Sequence, residues 1–266
     1  MQNKSKELEI AIKAALEAGV ILEKHQETDI EKGVKKDNSM VTWADTESEK
    51  TIKKIIGESF PGHSIVGEET DAIRTESPYT WYIDPVDGSR NFAHKIPFFA
   101  VSISLIEGDD IIVGVVYNPV TKSLFYTERG KGAYLNDKLI HVSKSDQKKC
   151  IVTVASGRNS DYLKIRRNLL HDLPDRVVSS VRDFGCTALE LAFVACGNTE
   201  ADIKFGLKSY DFAAGLLMVQ EAGGKVTTTD GKPWKLGETS FISSNGVFHD
   251  ALVEEVKRQK EKLGLS

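Results

Sequence analysis

Trp81-Tyr82-Ile83-Asp84-Pro85-Val86-Asp87-Gly88-Ser89-Arg90-Asn91-Phe92 is the stretch whose reading decides the fold and the chemistry of this chain. An apolar strand ends in two carboxylates three residues apart. Gly88-Ser89 follows at once, where a turn and the start of a helix are the expected backbone. Hard divalent cations take clustered oxygen ligands, and phosphates take free backbone N–H groups at a helix N-terminus. Both demands are met between Asp84 and Ser89, which points to metal-assisted chemistry on a phosphate. Taken alone, Asp84 and Asp87 fit a strand-ending Asp-Pro turn with a capping Asp equally well.

The other acids shift that balance. Glu68 and Glu69 follow the apolar pair Ile65-Val66, and either an exposed loop or an extra oxygen ligand explains them. Asp211 precedes Phe212-Ala213-Ala214-Gly215-Leu216-Leu217-Met218, an almost wholly apolar helix start. It reads as an N-cap, yet a charge at a buried helix end needs a partner or a metal. Asp45 has the same ambiguity at the head of another amphipathic segment. Mg²⁺ usually takes one or two protein carboxylates plus waters and phosphate oxygens, so these acids suffice for two or three ions. Two ions about 4 Å apart can activate a water and stabilise the leaving oxygen of an in-line displacement. No Cys or His cluster with ligand-like spacing competes for zinc.

The bounds are those of a soluble cytosolic protein. The 266 residues suffice for one large domain or two small ones. With 40% hydrophobic and 28% charged residues the composition is that of an ordinary globular protein. A net charge of -4 with no basic stripe does not recommend nucleic acid as a partner. Three scattered cysteines, Cys150, Cys186 and Cys196, form no disulfide framework, which fits a reducing cytosol. No apolar run approaches the roughly 18 residues of a transmembrane helix, and the first residues lack a signal-peptide apolar region. A cytoplasmic protein without a membrane partner is expected.

Helical spacing of Leu8, Ile12, Ala15, Leu16, Gly19 and Leu22 predicts a helix over 5–26. Ile52, Ile55 and Ile56 predict a second over 45–60, capped by Asp45 or Thr46. From 80 to 140 the texture is β, with strands expected at 81–84, 98–107, 111–118, 123–128 and 133–136 and a hairpin turn at Gly108-Asp109-Asp110. After a strand at 151–155, strand and helix alternate through 161–170, 177–181, 187–196, 211–222 and 225–228, which suggests layered α/β structure. Two lobes, residues 1–145 and 146–266, are the expected division.

At this point the residues resemble a known pattern. Trp81 to Phe92 is similar to the signature of the inositol monophosphatase family of Mg²⁺-dependent, lithium-sensitive phosphatases. Val41-Thr42-Trp43-Ala44-Asp45 resembles the family's V-T-x-x-D element, and Gly67-Glu68-Glu69 its G-E-E loop. Tyr210-Asp211-Phe212-Ala213-Ala214-Gly215 and Glu221-Ala222-Gly223-Gly224 resemble its closing element. The motifs occur in the family's order through almost the whole chain. The resemblance implies an α/β (α+β) fold, a layered αβαβα sandwich, usually built into homodimers. It implies that Glu68, Asp84, the Val86 carbonyl, Asp87 and Asp211 ligate the metals, with Asp45 holding the most weakly bound one through waters. The Gly88 and Ser89 N–H groups would bind the phosphate, and Ser89, where threonine is commoner, would activate the attacking water with Glu68. Arg90, Thr187 and Lys204 would complete the substrate contacts.

The departures from the pattern concern substrate. Arg90 stands where many inositol-acting members have a smaller neutral residue, and Tyr210 replaces the usual Trp. Lys204 in Ile203-Lys204-Phe205-Gly206 stands where inositol-specific relatives carry a Glu on the inositol hydroxyls. It reads either as a solvated surface lysine or as a contact for a second anionic group. Lys35-Lys36-Asp37-Asn38-Ser39 resembles members that act on adenosine 3′,5′-bisphosphate, whereas Asn91-Phe92 departs from them. The expected activity is hydrolysis of a small phosphorylated metabolite, inositol monophosphate or a related sugar phosphate. Fructose-1,6-bisphosphate, a 3′(2′),5′-bisphosphate nucleotide and histidinol phosphate are the alternatives, and a regulatory binding protein on this scaffold is the rival from another class.

Overall fold

A computed structural model describes residues 4–26, 33–34, 40–41 and 43–265. The 35–39 segment and Thr42 lie outside them. In chain order the elements are α1 (Lys6–Gln26), β1 (Gly33–Val34), β2 (Met40–Val41), α2 (Trp43–Ser59), β3 (Ser64–Gly67), β4 (Tyr79–Asp87) and α3 (Ser89–Ala93). Next come β5 (Ala100–Glu107), β6 (Asp110–Asn118), β7 (Ser123–Glu128), β8 (Ala133–Leu135) and β9 (Lys138–Ile140). The remainder is β10 (Ile151–Ser156), α4 (Ser160–Arg176), β11 (Ser180–Arg182), α5 (Thr187–Ala195), β12 (Ala201–Phe205), α6 (Ser209–Glu221), β13 (Lys225–Thr227), β14 (Phe241–Ser244) and α7 (His249–Lys262).

These elements build five layers. α1 packs on α2, and the pair covers one face of a seven-stranded sheet ordered β3-β4-β5-β6-β7-β8-β9. Leu8, Ala11, Ala15, Ala18 and Leu22 of α1 are buried there with Ile52 and Ile56 of α2 against Trp81, Ile83, Val101 and Ile103. α6 lies across β4 to β7 on the opposite face and packs against α5. Both helices also touch a five-stranded sheet ordered β11-β10-β12-β14-β13. α5 and α6 are apolar nearly all round, as a layer between two sheets requires. α4 and α7 close the far face of the second sheet over Val152, Val154 and Ile203. The result is the αβαβα sandwich.

Three local expectations change in the folded chain. The pattern predicts a strand ending at Asp84; β4 instead runs to Asp87 and shifts register on β5 between Asp84 and Asp87. The expected Asp-Pro turn is therefore a bulge within a strand. Pro85 has no N–H for the ladder, and a bulge is where a sheet tolerates that. Asp45 and Asp211 are not helix caps. α2 begins at Trp43, so Asp45 lies in its first turn. α6 begins at Ser209, and Asp211 sits in its first turn with its carboxylate accepting from the Lys208 N–H at 2.9 Å. The fold also contains β9, β12, β14 and α7, for which the sequence offers little pattern. β12 carries Asp202 and Lys204 within its five residues, and α7 buries only a narrow stripe on a heavily charged helix.

Candidate active site

The bulge in β4 gathers the first acids. Asp84 is 2% exposed, and its Oδ1 accepts from the Val86 N–H at 2.9 Å, which folds the backbone tightly around Pro85. Asp87 Oδ2 accepts from the Ala188 N–H at 2.5 Å and from the Cys186 thiol at 3.2 Å, so the start of α5 fixes that carboxylate. Gly88 then turns the chain into α3 with φ +88°, in the left-handed region. A Cβ there would stand 3.1 Å from Cys186 Cβ, Gly185 O and Phe98 O, so the position has neither the backbone freedom nor the room for a side chain.

Glu68 arrives from the other side of β4. β3 pairs parallel with β4, Gly67 opposite Ile83, and the Glu68 N–H donates to the Ile83 carbonyl at 3.2 Å. The loop that follows is held by a residue no motif marks. Glu49 of α2 is wholly buried and accepts from the N–H groups of Glu69 (2.7 Å) and Thr70 (2.9 Å) and from the Thr70 hydroxyl (2.5 Å), while Lys53 pairs with it at 2.9 Å. A Cβ at Gly67 would lie 2.3 Å from that carboxylate. Asp45, Ser48 and Glu49 are buried on the face of α2 that carries Ile52 and Ile56. Acids on an otherwise apolar helix face are the signal by which Glu49 is recognisable in the sequence.

The acids sense one another electrostatically. Burial pushes the Asp84 carboxyl well above the usual range, and the charges of Glu68, Asp87 and Asp211 add to it. Asp87 is pushed up to about 6, again mainly by burial, with the Ala188 amide, the Cys186 thiol and the Lys204 charge opposing. Asp211 is raised by burial and by Asp87 and Glu68, against the Lys208 amide. Burial and the same acids hold the Tyr210 phenol protonated. Carboxylates gathered in a partly buried site, as a buried Asp84 with half-buried Glu68, Asp87 and Asp211, are what a divalent cation relieves, and all-oxygen donors suit a hard one. The residues therefore fit the metal centre that the family implies. Among the described residues no group of three or more His, Cys, Asp or Glu side chains is already arranged to hold an ion.

The other expected site residues lie on further elements. Asp45 is buried in the first turn of α2, Thr187 is the buried first residue of α5, and Arg90 projects exposed from α3. Lys204 is neither a surface lysine nor placed to touch a ligand. It is fully buried, bonded to Glu190 of α5 and 2.8 Å from Asp202 on its own strand, and these two acids offset part of what it costs to bury the cation. Cys186 and Asn91 belong to the site's surroundings without being marked by the sequence. Burial keeps the Cys186 thiol protonated, able to donate to Asp87.

Residues 3–261 match the inositol monophosphatase family. The chain belongs to that family. It is 36% identical to the fructose-1,6-bisphosphatase/inositol-1-monophosphatase of Aquifex aeolicus, over 98% of this chain and 99% of the relative. It is 37% identical to the Nus factor SuhB of Pasteurella multocida, over 84% and 85% of the two chains. The crystal structure of the extragenic suppressor protein suhB from Bartonella henselae superposes with a TM-score of 0.87 at 34% identity, over 96% of this chain and 99% of that one. Membership of the inositol monophosphatase family makes the chain a phosphatase, a class that relies on a divalent metal and acts on small phosphorylated substrates. No helix among the described residues is long and apolar enough to cross a membrane.

Proposed function

We propose that this chain is a Mg²⁺-dependent phosphomonoesterase that hydrolyses a small phosphorylated metabolite, inositol monophosphate or a related sugar phosphate, by direct attack of water. The convergence of acids carries this reading: Glu68, Asp87 and Asp211 raise the cost of a charge on Asp84, Glu68 does so for Asp87, and Asp87 and Glu68 do so for Asp211. In it, these four with the Val86 carbonyl hold two or three cations, and Asp45 orders the waters of the weakest. The bound cations supply Lewis acidity, lowering the pKa of water and offsetting charge on the leaving oxygen. The Ser89 hydroxyl orients the attacking water, and the Glu68 carboxylate takes its proton. The Gly88 and Ser89 N–H groups point at the phosphate, and strengthen as its charge shifts towards the transition state. Asp87 keeps Oδ2 on Ala188 and Cys186, which leaves Oδ1 for a cation. Thr187 lies beside that pair as a substrate contact.

Exposed Arg90 favours a substrate with a second anionic group, and the double name of the Aquifex relative supports fructose-1,6-bisphosphate as the alternative substrate. The reading includes two lobes meeting between β9 and β10, a homodimer, a cytoplasmic location supported by three free cysteines, and inhibition by Li⁺. Phosphate release from a panel of these substrates with Mg²⁺, with and without Li⁺, is the test. Asp87→Asn should lower turnover by more than about 100-fold, the upper end of what losing an outer partner of a metal costs, with an unchanged circular dichroism spectrum. Wild-type turnover by that variant at saturating Mg²⁺ overturns the site assignment. A relative named as a Nus factor favours a second reading, a regulatory binding protein, and silence of the wild type across the whole panel would select it.

A further inference from the structure

Beneath the site lies a buried group of charges that the hydrolysis does not use. Asp202 and Lys204, two apart on β12, are both fully buried, as is Glu190 on α5. Lys204 Nζ bonds to Glu190 Oε2 and stands 2.8 Å from Asp202 Oδ1, which also accepts from the Thr153 hydroxyl at 2.6 Å. Two anions and one cation in an interior are costly, and such groups are often no more stabilising than apolar ones of equal volume. Stability alone does not account for them.

The free end of Glu190 shows what the group does. Its Oε1 accepts from the Phe184 N–H at 2.6 Å. Phe184 lies in the short connection from β11 to α5, and its residues 184–186 bear on the proposed site. The Phe184 carbonyl accepts from Asn91 Nδ2 of α3 at 2.7 Å, and the same amide group donates to the Phe98 carbonyl at 2.8 Å. The Gly185 carbonyl fills the space against Gly88 that a Cβ would need. Cys186 and Ala188 donate to Asp87. Glu190 Oε1 thus holds from the interior side, alongside Asn91, the connection that orients Asp87 and backs the Gly88 turn.

We propose that Glu190 is a positioning residue for the reaction: through the Phe184 amide it fixes the 183–188 connection, and with it the Asp87 carboxylate and the Gly88–Ser89 turn. Lys204 is what allows a carboxylate to stand there, and Asp202 holds Lys204 from its own strand. The inference rests on Asp87 being a metal ligand. Outer partners of metal ligands are worth about 10–100-fold in metal affinity, whereas a residue serving packing alone changes stability and leaves the affinity of the folded protein untouched.

The experiment is Mn²⁺ binding to the purified full chain, followed by electron paramagnetic resonance at a temperature where circular dichroism shows each variant folded, with phosphate release measured in parallel. Glu190→Ala should weaken Mn²⁺ binding by about 10–100-fold. Because this variant leaves Lys204 and Asp202 paired in an altered interior, two charge-neutral chains carry the decisive comparison. Both contain Lys204→Met and Asp202→Asn; one has Glu190→Gln and the other Glu190→Leu. Gln retains an oxygen for the Phe184 N–H and should bind Mn²⁺ within about threefold of wild type, while Leu should lose the 10–100-fold. Equal affinities of the Gln and Leu chains, or wild-type affinity in Glu190→Ala, overturn the proposal. Mn²⁺ binding by Asp87→Asn as tight as by the wild type overturns the ligand assignment instead, and the positioning role with it.

Discussion

Single residues at the β4 bulge set the local geometry. Gly88 combines a left-handed backbone with 3.1 Å of clearance on three sides, so Gly88→Ala pays twice. The left-handed conformation costs an L-residue about 1–2 kcal/mol, and the clash falls on the segment that orients Asp87. The expected result is a loss of about 1–2 kcal/mol in urea unfolding and at least a tenfold fall in phosphate release at saturating substrate. An activity within twofold of wild type would mean that the Gly88 turn does not contact the phosphate. Asp84 and Asp87 were legible in the sequence because their spacing, the proline and the glycine are all local. Lys204 was not: its sequence neighbours say nothing of Glu190, which reaches it from another element.

Among elements, α2 shows how a helix becomes a platform. Its buried face carries Asp45 and Glu49 among isoleucines, and Glu49 ties down the loop that delivers Glu68. A second joint links β13, β14 and α7 far from the acids. His249 is 1% exposed and bonds to the hydroxyls of Thr227 and Ser244, each at 2.8 Å. The Thr227 hydroxyl donates to the Thr228 carbonyl, so the tautomer assigned from the network is Nε2–H with Nδ1 accepting from Ser244. Burial, assisted by Lys225 and opposed by Asp250, lowers this imidazole from 6.5 to about 4. The unfolded chain then takes up the proton first, so stability rises with pH between those values. Above pH 6.5 there is no penalty; as pH falls towards 4 the native state loses up to about 3 kcal/mol. Guanidinium unfolding of His249→Gln should show a flatter pH dependence than the wild type across this window, and parallel curves would refute the assignment.

At the scale of the molecule, the acids come from three layers. Asp45 belongs to the outer helical layer, Asp84 and Asp87 to the seven-stranded sheet with Glu68 in the loop just after β3, and Asp211 to the central helices between the sheets. A cation that binds this assembly and not the unfolded chain stabilises the whole fold. At 100 times its dissociation constant Mg²⁺ should contribute about 2.7 kcal/mol, a rise of about 5–10 °C in Tm for a chain of this size. Calorimetry with Mg²⁺ and after chelation checks this, and Asp87→Asn should lose most of the shift. A Tm unmoved by Mg²⁺ in the wild type would contradict the metal centre.

The order of the acidic motifs, the Gly88–Ser89 turn and the alternation of helix and strand were determined by the sequence itself, because each depends on residues adjacent along the chain. The tertiary structure alone decided that the Asp-Pro pair is a bulge, that Asp45 and Asp211 lie inside helices, and that Lys204 is interior. It also brought Glu49 to Glu69 and Thr70, 20 and 21 residues away, and Glu190 to Lys204 across two layers. The free energy of a buried charge depends on which partner meets it, and that partner is chosen by packing between elements, not by spacing within one.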